Sequence, residues 1–368
     1  MCSSDLGNRL YTPQANHETA VGWVPTGTPE GRAAWLRYVA ALAAHYRGRV
    51  RHFEIWNEPN GTSFWKPNQP DPAGYAGLVE LTAPAIRRVA DDAILIGGAI
   101  AGMDTRFFQA AMESGLGRHI QKVSFHSYRP FPEKDYAADV ANWRRILAKH
   151  APGLPLWHGE VGAASQPGGA GGRANYPWTE PRQAKWLLRR FVSALREGIE
   201  LVSCFHTVDL VNYFGSDGPT NKTNYKGLLR GTDYTPKPGY FAVQCLCALF
   251  DADTTRADLA AACSPAAGAA AVKTEETVCA GFTRKGRALH AVWHPPGMDF
   301  ERADGRMRLE IATGPGAAIE DPVVVDPLTA EIHPLPGATR SGDRWVIPDA
   351  RLADHPLLFT DRAAVSPG

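Results

Sequence analysis

The 368-residue chain is poor in cysteine, with six in all, and no two of them have the C-x₂-C spacing of a zinc site. Cys245 and Cys247 stand two apart in a stretch that reads as helix, where such neighbours face different ways and serve as small apolar residues. Cys263 and Cys279 flank an Ala-rich stretch, and both a disulfide and two free thiols remain open for them, depending on export. No apolar run approaches the roughly 18 residues of a membrane span. Charge of one sign is also missing: 39 basic side chains meet 38 acidic ones, a formal net of +1, spread without blocks. That leaves no electrostatic footprint for nucleic acid. The opening MCSSDLGNRL lacks the basic end and apolar core of a secretory signal, so either the protein is intracellular or its natural start lies upstream. The run Gly168-Gly169-Ala170-Gly171-Gly172 lacks the Gly-Lys-Ser/Thr end of a phosphate loop and reads as a flexible rim over a cleft. With no H-E-x-x-H or similar spacing, neither a metal nor a cofactor is expected.

What the chain does contain is an ordinary core composition, 44% apolar and 21% charged, with 36 Gly and 29 Pro for many loops. Its length accommodates a (β/α)₈ barrel of about 250 residues and a sandwich of about 100. Thr28-Pro29 caps a helix with Trp35, Val39, Leu42 and Tyr46 at helical spacing, stopped by Gly48. A strand is expected over 50–56. Asp71-Pro72 opens a second helix that Pro84 should kink, and the run Ala93 to Ile96 reads as a buried strand ended by Gly97-Gly98. Helices over 104–114 and 136–150, strands over 122–127 and 155–160, a helix capped by Thr179-Glu180-Pro181, a strand over 201–205 and a helix over 238–250 complete the alternation. Strands alternating with helices imply a parallel sheet covered on both faces. Beyond residue 251 short β-like runs separated by turns predict a small antiparallel sandwich. The expected division is therefore 1–250 for a barrel and 251–368 for a β-sandwich.

Two segments carry chemistry. Phe53-Glu54-Ile55-Trp56-Asn57-Glu58-Pro59-Asn60 is a strand ending in polar residues, and Pro59 should keep Glu58 extended. Leu154 to Gly162 repeats the plan, an apolar strand ending at Glu160. Glu58 and Glu160 are 102 residues apart, about 34 per unit if three βα units intervene, close to the roughly 31 of a barrel. Carboxylates at the C-terminal ends of barrel strands point into the mouth. A proton donor and a nucleophile of this kind are what glycoside hydrolysis requires.

Trp56-Asn57-Glu58-Pro59 resembles the acid/base signature of the clan of retaining glycosidases built on (β/α)₈ barrels. Within it the chain is most similar to glycoside hydrolase family 39, the β-xylosidase and iduronidase group. The resemblance runs over about 28–250, and Tyr234 to Tyr240 fits the family's lead-in to its last barrel helix. It implies that Glu58 is the acid/base, Glu160 the nucleophile and Asn57 the partner of the sugar 2-hydroxyl. It also implies that His126 and Tyr128 form the His-x-Tyr pair in which the tyrosine contacts the nucleophile. Either Phe205 or His206 stands where the clan places an aromatic, usually tryptophan, and His206 joins the substrate-binding set. The clan's strand-2 arginine has no counterpart. Among tryptophans, Trp65, Trp157 and Trp178 either stack on sugar or pack in the core. His158, two before Glu160, should share its side by strand alternation.

If Glu58 ends the fourth barrel strand, the 57 residues before it are too few for three βα units. The expectation is thus an incomplete barrel, with strands 4 to 8 present, followed by the sandwich. The expected function is retaining hydrolysis of an oligo- or polysaccharide. The alternatives are a non-catalytic carbohydrate-binding protein or an inactive fragment of such an enzyme.

Overall fold

The computed structural model describes Tyr11 and residues 22–215, 218–268, 276–297 and 299–365. Cys2, the opening ten residues and part of the Ala-rich stretch between Cys263 and Cys279 lie outside these.

Helix α1 (Pro29–Tyr46) starts where the Thr28 hydroxyl accepts from Gly31 N at 3.0 Å, and strand β1 (His52–Glu54) follows. Then come α2 (Pro72–Arg87), β2 (Ile94–Ala101), α3 (Thr105–Glu113), β3 (Lys122–His126), α4 (Tyr136–His150), β4 (Leu156–Val161), α5 (Glu180–Arg196) and β5 (Leu201–Cys204). The five strands form one parallel sheet in the order β1-β2-β3-β4-β5. Among the described residues this sheet leaves β1 and β5 as its edges rather than closing on itself. Helices α2, α3 and α4 cover its outer face with Tyr75, Leu78, Phe107, Phe108, Tyr136 and Trp143 in one buried core. Each helix packs where a crossover between parallel strands must put it.

One local expectation fails, and one element runs further than its sequence suggests. Helix α2 continues through Pro84 and ends at Arg87, within the turn that follows it. A proline this close to the end sacrifices few of the hydrogen bonds a mid-helix proline would. Gly97 and Gly98 do not end β2: Gly97 still pairs with Val123, and the pairing with β3 shifts register between Gly97 and Ile100, across Gly98 and Ala99. Gly98 has φ 103° and lies against the Ser124 carbonyl so closely that a Cβ would sit 2.4 Å from its oxygen. Only glycine fits there.

A two-stranded ladder, β6 (Phe214–Gly215) with β7 (Gly218–Pro219), precedes α6 (Pro238–Leu249). The rest is antiparallel. Strands β8 (Thr254–Arg256), β10 (Val278–Arg284), β11 (Arg287–Trp293), β13 (Pro322–Asp326), β14 (Glu331–Pro334) and β17 (Leu357–Asp361) form a six-stranded sheet. Strands β9 (Ala261–Pro265), β12 (Gly305–Ala312), β15 (Thr339–Ser341) and β16 (Arg344–Leu352) form a four-stranded one, and α7 (Arg362–Val365) ends the described chain. Val292 and Phe359 of the first sheet share a core with Leu309, Ile311 and Ile347 of the second, so the sheets pack face to face. Strands β8 and β9 fall where the sequence shows an Ala-rich stretch with turns, because half-exposed edge strands carry little alternation. A second core joins Trp186, Leu187 and Phe191 of α5 and Leu246 of α6 to Phe282, Leu289 and Trp293. Trp293 Nε1 also donates to Glu133 at 2.8 Å, across this seam.

Candidate active site

The site lies at the C-terminal end of the parallel sheet, where β1, β3, β4 and β5 present their last residues. After β1 the chain turns sharply. Trp56 (φ 70°) and Glu58 (φ 44°) both adopt left-handed backbone, so Pro59 does not keep Glu58 extended. Such conformations are costly for residues with a Cβ and persist only where the surroundings hold them. Here the holding is explicit. Glu58 N donates to Ala99 O at 2.9 Å, Trp56 Nε1 donates to Phe64 O at 2.8 Å, and Tyr75 donates to Ile55 O at 3.1 Å. Asn60 brackets the end of β2, accepting from Ala101 N at 2.8 Å and donating to Ala101 O at 3.0 Å. Asn60 and Tyr75 are supports of the site that sequence reading passed over, since a polar side chain bonded to a distant backbone leaves no local pattern.

Glu160 reaches the mouth by a different device. Gly159 faces Glu54 and Ser124, and regular alternation would turn Glu160 to the opposite side of the strand. The β4–β5 register shifts between His158 and Val161, and this irregularity brings Glu160 round. The same shift explains why His158 does not share its side. His158 is fully buried against Phe125 and Tyr136 on the outer face and accepts from Ser127 N at 3.1 Å. Burial pushes it well below the ordinary imidazole range, so it is neutral packing.

The two glutamates converge on His126. Its Nδ1 lies 3.2 Å from Glu58 Oε1 and 3.9 Å from Glu160 Oε2, and Tyr128 donates to Glu160 Oε1 at 2.6 Å. One carboxylate oxygen of Glu58, one of Glu160 and a His126 nitrogen all lie within 4.8 Å of one another. Among the described residues this trio is the group able to share a cation. Burial raises Glu160 above the usual carboxylate range, although the charge of His126 and the Tyr128 hydroxyl act the other way. Burial disfavours a charged His126, yet the bond to Glu58 and the fields of Glu160 and Glu54 outweigh it and raise its proton affinity. Burial first, and then the neighbouring Glu160 charge, holds the Tyr128 phenol well above 10, so it remains a donor.

Beneath this layer stands a third carboxyl that sequence reading did not single out. Glu54 and Ser124 fill the face of Gly159, where a Cβ would lie 2.1 Å from Ser124 Oγ and 3.1 Å from Glu54 Oε1. Burial raises the Glu54 proton affinity. Lys226 was also missed. It is buried, its Nζ lies 5.6 Å from the Tyr128 ring centroid, and burial draws it down to about 8 against the pull of Glu160. The glycine run is anchored against this neighbourhood: Ala170 N donates to Thr223 O at 2.9 Å, and Gly171 faces Lys226 Nζ and Asn224.

A cavity of about 510 Å³ opens here, lined among others by Asn57, His126, Glu160, Phe205 and His206. His206 Nδ1 lies 2.6 Å from Val208 O, and burial lowers its pKa to about 4, so it is a neutral wall of the cavity. Asn57, Glu58, His126, Tyr128, Glu160 and His206 are therefore brought to one place.

Two expected substrate-binding residues are not. Trp65 is only 4% exposed and packs edge-on against Trp56 and Tyr75 in the core. Trp157 lies at the opposite end of the sheet, near the start of β4. Its Nε1 donates to Glu200 at 3.1 Å, its ring is 5.0 Å from that of His52, and Lys122 sits over it. Three residues along a strand span about 10 Å, which removes it from Glu160. Trp178 is likewise buried, beside Trp186 and Phe300.

No protein-family model matches the chain. Among solved structures it is similar to a family 39 glycoside hydrolase from the gut symbiont Bacteroides cellulosilyticus WH2, with TM-score 0.64 and 18% identity over 97% of this chain and 66% of that one. The chain thus spans just under two thirds of that protein's length. It is also similar to a glycoside hydrolase family 30 subfamily 8 xylanase from Clostridium acetobutylicum (TM-score 0.58, 8% identity, 90% and 72% covered). A monomeric β-xylosidase from Caulobacter crescentus CB15 matches as well (TM-score 0.53, 17% identity, 93% and 76% covered). These likenesses show an α/β fold of the TIM-barrel type. No helix among the described residues is long and apolar enough to cross a membrane.

Proposed function

We propose that the chain is a family 39-like retaining glycoside hydrolase acting on an oligo- or polysaccharide. Residues 1–250 supply the catalytic barrel portion and 251–368 an accessory β-sandwich. The observation that carries this reading is the approach of Glu58 and Glu160 to within 4.8 Å, oxygen to oxygen, at the ends of strands three apart in the sheet. Retaining glycosidases hold their two carboxyl groups about 5 to 5.5 Å apart, whereas inverting ones leave about 6.5 to 9.5 Å for a water molecule. The fold of the solved relatives, all described as glycoside hydrolases or xylosidases, supports the same class.

In this mechanism protonated Glu58 donates to the departing glycosidic oxygen while ionised Glu160 attacks the anomeric carbon. Glu58 then takes a proton from the water that hydrolyses the glycosyl-enzyme. Tyr128 steadies the Glu160 carboxylate before attack, and His126 stands between the two carboxyl groups. Asn57 meets the sugar 2-hydroxyl, and His206 with Phe205 walls the sugar site. No cofactor or metal takes part in these steps.

A panel of aryl glycosides with anomer-resolved product analysis tests the proposal. Release of product with retained configuration, lost on Glu160→Gln, is the expected result. Inverted product would exclude the double displacement. Sugar binding without release from any glycoside would favour a carbohydrate-binding role.

A further inference from the structure

Among the described cysteines one pair is in contact. Cys263 Sγ and Cys279 Sγ lie 3.9 Å apart, each half-buried. They belong to different sheets: Cys263 on β9 pairs across to Leu309 of β12, and Cys279 on β10 pairs across to Val292 of β11. Their contact therefore bridges the two layers rather than two neighbouring strands. The other described thiols are differently placed. Cys204 is half-buried at the end of the parallel sheet with its thiol pushed up to about 12, and Cys245 and Cys247 project from α6.

We propose that Cys263 and Cys279 form a modification site, an inter-sheet dithiol that closes to a disulfide on meeting a small disulfide oxidant of the oxidised glutathione class. The roles of the two sulfurs follow from their surroundings. Either thiol can donate in their contact, and with Cys263 as donor that bond, joined by the positive field of Arg196 at the end of α5, holds Cys279 below the ordinary thiol range despite its burial. The same contact keeps the proton on Cys263. Cys279 is thus the attacking thiolate. It displaces one glutathione thiolate from the oxidant, breaking the oxidant's S–S bond and forming a mixed disulfide. That thiolate takes the Cys263 proton, and Cys263 attacks the Cys279 sulfur and expels the second glutathione, which is protonated by solvent. Two protein thiols become one disulfide, and one oxidised glutathione becomes two reduced ones. The sulfurs must close from 3.9 Å to a bond length of about 2.05 Å, within reach of side-chain rotation and a small strand shift.

The product would tie the edge strand β9 to β10 across the shared core and close the intervening loop in the unfolded chain, which raises stability. This proposal does not depend on the glycosidase reading. The test uses the full chain, equilibrated in graded mixtures of oxidised and reduced glutathione. Non-reducing peptide mass spectrometry and the melting temperature are read together. A Cys263–Cys279 cross-linked peptide and a rise of several degrees in Tm, reversed by reductant and lost in Cys263→Ser, are expected. Both cysteines remaining alkylatable, or carrying separate glutathione adducts, when exposed Cys247 is fully modified would overturn it. Should the serine variant not fold, alkylation of the unaltered chain distinguishes the same two outcomes.

Discussion

Among the described residues a histidine is buried between carboxylates in two places, and the two differ in how completely the charges are satisfied. At the mouth of the parallel sheet, His126 stands between Glu58 and Glu160, and burial raises Glu160 faster than its partners lower it. At the seam with the sandwich, His355 lies 2.9 Å from Asp326 and 3.3 Å from Asp354. Those aspartates are further held by Arg351 at 2.7 Å, Lys185 of α5 at 3.0 Å and the Arg302 and Leu328 backbone amides. Burial alone would raise them, but these partners, His355 foremost, bring both down to about 2. His355 is raised in turn, its two aspartates outweighing the burial penalty. Imidazole and carboxylates therefore make an anchor where both oxygens of each carboxylate are held by cations or amides, and a reactive cluster where burial outweighs the partners of Glu160. An under-compensated carboxylate keeps a raised proton affinity, the kind of perturbation that marks functional carboxyl groups.

Substitution at Glu160 separates the two regions most widely. Glu160→Gln should lower turnover by roughly 10⁴-fold or more, as removal of a nucleophile does. It should also raise Tm at neutral pH. A carboxyl whose folded pKa is raised contributes stability below its unfolded value and loses it as pH rises through the folded value, so the ionised form at pH 7 is a cost that glutamine removes. A fall in Tm at pH 7 would erase the contrast. Glu58→Ala should cost about 10² to 10⁴ for substrates with poor leaving groups and far less for aryl glycosides with good ones. Equal losses in both would argue against Glu58 as the acid. Tyr128→Phe removes a donor that favours ionised Glu160, so the acid limb of kcat/KM should move to higher pH, with roughly a tenfold loss in rate below it.

At the seam the expected effect is on stability alone. Asp326→Asn should cost about 3 kcal/mol, the scale of removing one partner from a buried pair, with kcat/KM unchanged. The sign of its pH dependence is set by both partners. The raised His355 contributes fully below about pH 6.5, and its share is lost as pH rises through its folded value. The depressed aspartates contribute above about pH 4, and theirs is lost as pH falls towards 2. The Tm gap between Asp326→Asn and the parent should thus be widest between about pH 4 and 6.5. A gap that widens above pH 8 would contradict the assignment. Smallest of all, Trp157→Phe at the far end of the sheet should leave kcat/KM within about twofold.

How much of this was legible varies by element. Helix α4 lies at 136–150 as the apolar spacing predicts, and Thr28, Asp71 and Thr179 cap α1, α2 and α5 through their side chains. Glu58 and Glu160 are readable because each stands at the end of an apolar strand, Glu58 just after β1 and Glu160 near the end of β4. Trp65 and Trp157 are not separable by sequence from a sugar-stacking tryptophan, since an aromatic ring suits a core and a cleft equally. The seam aspartates gave no signal because Asp326 and Asp354 lie far apart in the chain and each alone looks like a surface charge.

The sequence by itself determined the order of helices and strands, the change from parallel to antiparallel texture near residue 250, and the two glutamates at strand ends, because periodicity and capping are local. Only the tertiary structure decided which way the strand ends point. The bulges in β2 and β4 and the left-handed backbone at Trp56 and Glu58 override alternation and the proline rule, held there by bonds from Tyr75, Asn60 and Ala99. The reason is energetic. A costly backbone conformation survives when distant partners supply what the local chain cannot, and those partners are neighbours only after folding.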